Sequence, residues 1–133
     1  MRIDHIAIVV KDLESALGNF KNVLSISHVD LEDVPTEKVK VAILNLEDTK
    51  IELVQPLEPD SPISKFLTEK GEGIHHLAIT ADDIEKDVER ASSNGAKILG
   101  GIRNGSYGRK ITFIHPKSVN GVLMEICQAS PQS

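Results

Sequence analysis

The chain has no tryptophan, one tyrosine, three phenylalanines and a single cysteine among its 133 residues. So low an aromatic content leaves the core to Ile, Val, Leu and Ala. One cysteine, Cys127, excludes an internal disulfide and suits a reducing compartment, so the expected location is cytoplasmic. No apolar run approaches the roughly 20 residues a bilayer span needs. Asp4, Lys11, Asp12 and Glu14 stand where a signal peptide would be apolar, so no membrane partner is expected. Acidic residues are missing altogether between Arg90 and Met124, a stretch that holds Arg90, Lys97, Arg103, Arg109, Lys110 and Lys117. With a net charge of −5 overall, the rest of the chain is strongly acidic. That balance argues against nucleic acid as a partner, while the basic stretch favours an anionic ligand locally.

What is present is ordinary in amount and unusual in arrangement. A composition 40% apolar and 26% charged excludes whole-chain disorder, and residues 1–133 have the length of one domain. Residues 4–14, DHIAIVVKDLE, align without gaps on residues 75–85, HHLAITADDIE. A second correspondence joins Lys50-Ile51-Glu52-Leu53-Val54 to Leu123-Met124-Glu125-Ile126-Cys127. Each copy predicts a strand, a helix and further strands. Asp12 caps a helix with an apolar stripe of Leu13, Ala16, Leu17, Phe20 and Leu24, and Asp83 caps one with Ile84, Val88 and Ala91, stopped at Asn94-Gly95. Between the copies, Ser61-Pro62, then Ile63, Phe66, Leu67 and Gly71, predict a short connector helix over about 61–71, with Ser61 as cap. The expected fold class is α+β: two βαβββ modules, about 1–56 and 73–128, pairing into a cupped mixed sheet.

The duplication places a histidine early in the first strand of each copy and a glutamate in its last strand. Alternation puts His5 on a face with Ala7 and Val9, and His76 on a face with Ala78 and Thr80, away from the helices. Glu52 and Glu125 interrupt apolar strands, where a carboxylate costs several kcal/mol unless paired, solvated or bound to a cation. Two neutral imidazoles and two carboxylates would neutralise a divalent ion, and mixed N/O donors admit Zn, Co, Ni, Mn or Fe. Two separate hydrogen-bonded His–Glu pairs would satisfy the same pattern. Of the other histidines, His75 is expected to pack under the helices, His28 to face solvent and His115 to line the mouth of a cleft.

Four segments, IDHIAIVVKDLESAL, TKIELVQPLEPDSPISKFL, GEGIHHLAI and GRKITFIHPKSVNGVLMEICQ, resemble the vicinal oxygen chelate superfamily. The DSPISKF and HPKSVNGVLMEI pieces make the methylmalonyl-CoA epimerase family the nearest likeness within it. The resemblance implies a glyoxalase-like fold and a divalent metal (Co, Zn, Ni or Mn) held by His5, Glu52, His76 and Glu125. It implies a CoA thioester substrate, an isomerase activity that removes and returns the proton α to the thioester, and a homodimer. A glyoxalase I-type lactoylglutathione lyase and a non-catalytic small-molecule-binding member are the alternatives. Glu125 is the expected base. The strand Val39–Leu44 lacks the glutamate that some relatives carry there, which leaves Glu37, just before it, with Glu52 or a metal-bound water as the other candidates for the opposite face. Arg103, Arg109, Lys110 and Lys117 are expected to contact CoA phosphates, under a flexible flap formed by Gly100, Gly101, Gly105 and Gly108.

Overall fold

Asp12 and Asp83 do what short polar residues before an apolar stripe are expected to do. In the computed structural model, which describes residues 1–129, the Asp12 side chain accepts from the backbone N–H groups of Glu14 and Ser15, opening α1 (Leu13–Leu24). Asp83 accepts from Lys86 and opens α3 (Ile84–Ser93). The strands are β1 (Ile3–Val9), β2 (Val29–Val34), β3 (Val39–Asn45), β4 (Lys50–Pro56), β5 (Gly73–Thr80), β6 (Ile98–Asn104), β7 (Lys110–Ile114) and β8 (Met124–Gln128). The chain divides into two compact units, residues 5–75 and residues 76–129 together with residues 1–4.

In the unit of residues 5–75 the strands lie in the order β2-β3-β4-β1. β1 pairs parallel with β4; the β2–β3 and β3–β4 pairs are antiparallel. One sheet face carries Ala7, Val9, Val39, Val41, Ile43 and Val54, with Ile63, Phe66 and Leu67 of the connector packed against it. The other carries Val10, Ala42, Leu44 and Leu53 under Leu13 and Ala16 of α1. β3 is thus apolar on both faces, which is why Val41-Ala42-Ile43-Leu44 does not alternate with polar residues. Each of Ile43, Leu44 and Leu53 is fully buried, a gain of about 1.5–3 kcal/mol per side chain.

The other unit repeats the order as β5-β8-β7-β6, with β5 parallel to β8 and the remaining pairs antiparallel. Ile84, Val88 and Ala91 of α3 pack on Ile79, Ala81, Ile114 and Ile126, while Ala78, Ile111, Phe113 and Cys127 form the opposite face. Residues 1–4 attach here: Thr80 donates its N–H to the Arg2 carbonyl at 2.9 Å, and Asp4 forms a buried ion pair with Arg109.

Three expectations are corrected. The connector helix α2 spans Ser64–Lys70, beginning three residues after Ser61, because Ser61 spends its hydroxyl on the Glu37 carbonyl at 3.0 Å instead of capping. The glycines do not make a flap. Gly100 and Gly101 lie inside β6 at a bulge, and Gly105 closes a packed turn where a Cβ would meet Ile111 Cγ2 at 2.9 Å. Arg109 is not offered to a phosphate: it is buried, its Nη1 donating to Asp4 and its Nε and Nη2 to Ser106.

Two stability measurements follow. Breaking the buried pair by Arg109→Met takes the guanidinium away from the buried Asp4 carboxylate, an expected loss of about 3–5 kcal/mol in urea unfolding. Asp4→Leu combined with Arg109→Met should recover most of it, since no buried charge is then left alone. The Thr112 hydroxyl is fully buried and lacks a hydrogen-bond partner among the described residues. Thr112→Val is expected to raise stability by about 1 kcal/mol, read as a melting temperature a few degrees higher.

Candidate functional site: two equivalent histidine–glutamate pairs

The site residues are placed by strand register. In the first unit Ala7 of β1 stands opposite Glu52 of β4. In the second, Ala78 of β5 stands opposite Glu125 of β8. The histidine comes two residues before the alanine in both, so imidazole and carboxylate share a face on neighbouring strands, one residue pair apart along the ladder. His5 Nδ1 lies 3.3 Å from Glu52 Oε2, and His76 Nε2 lies 3.1 Å from Glu125 Oε1. His5, Glu52 and Glu125 are all at most 5% exposed. The faces are those expected: His5 shares its side with Ala7 and Val9, whereas Ile8 and Val10 pack under α1.

Burial of two carboxylates at this depth requires compensation of the kind an imidazole or a cation provides. In each unit one imidazole nitrogen and one carboxylate oxygen lie close enough to serve a common ion. Imidazole nitrogen and carboxylate oxygen in equal number fit a divalent first-row metal.

The helices are tied to the glutamate-bearing strands by a device that the single-residue reading overlooked. Gln55 lies three residues after Glu52, and its side-chain oxygen accepts the Leu13 N–H at 2.6 Å. Gln128 lies three residues after Glu125 and accepts the Ile84 N–H at 2.6 Å. These are the first N–H groups of α1 and α3, which have no partner within their own helices. An odd spacing sends Glu to one face of its strand and Gln to the helix face. The repeated Glu-x-x-Gln, at the same offset as the glutamates themselves, was the available signal.

Glu37 sits in a 3₁₀ turn, Pro35–Glu37, directly before β3. Its backbone carbonyl is held by Ser61. The next residue, Lys38, turns through φ +54° and donates to Asp60 at 2.5 Å. That hydrogen bond raises the Lys38 pKa and lowers that of Asp60; both groups face solvent, so it fixes the turn more than it stabilises the fold. His75 packs edge-on against Phe66 of α2, 4.9 Å between centroids. His115 caps the turn Pro116–Val119, accepting from Lys117 N–H. Of the four cations expected to meet phosphate, Lys110 and Lys117 are exposed, Arg103 is half-buried against Phe113, and Arg109 is buried.

Residues 4–113 match the family model described as Glyoxalase/Bleomycin resistance protein/Dioxygenase superfamily. Over 130 residues the chain is 38% identical to the mitochondrial methylmalonyl-CoA epimerase of Homo sapiens, covering 96% of this chain and 74% of that one. It is also 38% identical to the ethylmalonyl-CoA/methylmalonyl-CoA epimerase of Cereibacter sphaeroides, covering 96% and 97%. Among solved structures, methylmalonyl-CoA epimerase from Mycobacterium tuberculosis superposes with a TM-score of 0.92 at 32% identity, over 98% of this chain and 89% of that one. A variant of the Streptomyces coelicolor enzyme in complex with 2-nitronate-propionyl-CoA gives 0.88 at 31% identity, over 98% of both chains. With the duplicated His–Glu pairs in matching register, these likenesses make the chain a member of the glyoxalase/bleomycin resistance protein/dioxygenase superfamily and, within it, of the methylmalonyl-CoA epimerases.

Proposed function

We propose that the chain is a metal-dependent epimerase that interconverts (R)- and (S)-methylmalonyl-CoA, with His5, Glu52, His76 and Glu125 as the metal ligands. The observation that carries this reading is the recurrence of a buried imidazole–carboxylate pair at identical register in both units, in a chain 38% identical to epimerases over nearly its whole length. A divalent ion held there, Co, Zn, Ni or Mn, would supply positive charge against the negative charge that develops as the α-proton leaves.

The chain's own residues supply the proton chemistry. Glu125 takes the proton from the carbon between thioester and carboxylate, its carboxylate being held in a dry site beside His76. Inversion needs a second group on the opposite face. β3 offers none, because Val39, Val41 and Ile43 fill its inner side. Glu37, on the turn braced by Ser61 and Asp60, is assigned that role. The acid-free basic stretch receives the anionic substrate, with Lys110 and Lys117 exposed for the CoA phosphates.

The family likeness also supports a homodimer, which sedimentation of the purified protein checks. The buried cysteine Cys127, which forms no disulfide, fits a cytoplasmic setting. No helix is long and apolar enough to cross a membrane among the described residues.

Incubation of the metal-loaded protein with one epimer in deuterated water should introduce label at the α-carbon. Glu125→Gln is expected to slow that exchange by about 10²–10⁴-fold. His76→Ala should lower metal content by elemental analysis. Absence of metal-dependent exchange from either epimer would overturn the assignment, and product formation from a glutathione hemithioacetal instead would move the chain to the lyase reading.

A further inference from the structure

The bulge in β6 places one cation of the basic stretch beside the second histidine–glutamate pair. Four residue steps of β6, from Leu99 to Arg103, span only two steps of β7, from Phe113 to Ile111. Gly100 absorbs the excess at φ +72°. Beyond the bulge Arg103 stands opposite Ile111. It therefore shares the face on which Ile111 and Phe113 oppose Cys127 and Glu125. The extra backbone lets the side chain fold back on its own strand: Nη1 donates to the Gly101 carbonyl at 3.0 Å and the Leu99 carbonyl at 3.4 Å. The guanidinium carbon lies 5.3 Å from the centre of the Phe113 ring. Phe113 in turn meets the His76 ring edge-on, 5.1 Å between centroids.

A fixed guanidinium thus sits one aromatic ring away from His76, whose Nε2 is 3.1 Å from Glu125. That is the reacting end of the site, and the length of a pantetheine arm separates that end of an acyl-CoA from its phosphates. The anion within reach is the carboxylate of the acyl group, the feature that distinguishes a malonyl thioester from an ordinary acyl thioester. A planar fork of N–H donors held by carbonyls and an aromatic face is suited to a carboxylate and loses little freedom on engaging it. We propose that Arg103 recognises the substrate's free carboxylate and so selects 2-carboxyacyl thioesters, rather than contacting the CoA phosphates. This rests on the epimerase reading of the same site.

The test compares the dissociation constants of malonyl-CoA and acetyl-CoA, measured by calorimetry on the metal-loaded protein. Arg103→Gln should weaken malonyl-CoA by about 10–100-fold, the value of a charge-assisted hydrogen bond, and acetyl-CoA by less than about 2-fold. Arg103→Lys, which keeps the charge and loses the fork, should fall between wild type and Arg103→Gln for malonyl-CoA. Metal content should stay at the wild-type level in both variants, which separates recognition from a disturbance of His76 through Phe113. Equal weakening of both esters, or no weakening of malonyl-CoA, overturns the proposal alone. If the wild type binds neither ester, the epimerase reading falls and the proposal falls with it.

Discussion

A carboxylate buried on an apolar strand is tolerated only when something answers its charge, and the placement of Glu52 and Glu125 governs much of what surrounds them. Each is answered by an imidazole on the adjacent parallel strand, at 3.3 Å and 3.1 Å. Parallel pairing makes this arrangement robust. With Ala7 opposite Glu52 and Ala78 opposite Glu125, the histidine two residues earlier falls on the same face without any adjustment of the backbone. A slip of one residue would turn both partners away from each other and put an uncompensated charge into the core, so the register is strongly selected. The alanines matter for the same reason, because a larger side chain at either position would occupy the space beside the carboxylate.

The same strands also anchor the helices. Gln55 and Gln128 take the first backbone N–H of α1 and α3, so each β-strand carries a charged group toward one side and a helix-orienting amide toward the other. Helix position and glutamate position are coupled through three residues of backbone. The aspartate caps act in the same first turn, one or two residues further along, satisfying N–H groups that the glutamine does not reach. Duplication preserved the whole assembly of cap, strand and glutamate, which is what a unit that folds around a single constraint would show.

The cations of the acid-free stretch have divergent fates that charge counting alone does not separate. Arg109 is drawn inward by Asp4 and by Ser106, and its role is to tie residues 1–4 to the turn before β7. Arg103, six residues earlier, is turned by a glycine bulge onto the face of Glu125 and rests on Phe113. Lys110 and Lys117 remain exposed. Their uses differ because a buried guanidinium requires a carboxylate partner, whereas an exposed ammonium does not.

The repeat of residues 4–14 at 75–85 and of 50–54 at 123–127, with the flanking aspartate caps, was enough to define the first strand, the helix after it and the last strand of each half, and the side on which His5, Glu52, His76 and Glu125 lie. Those features depend on alternation and on local hydrogen bonds, which are properties of neighbouring residues in the chain. The start of α2, the bulge at Gly100 and Gly101 and the inward turn of Arg109 were decided by tertiary structure. Each depends on a partner distant in sequence: Glu37 for the Ser61 hydroxyl, β7 for the bulged strand, Asp4 for the guanidinium. A serine before a proline offers the same hydroxyl to a helix or to a remote carbonyl, and only the folded chain brings the competing acceptor within reach.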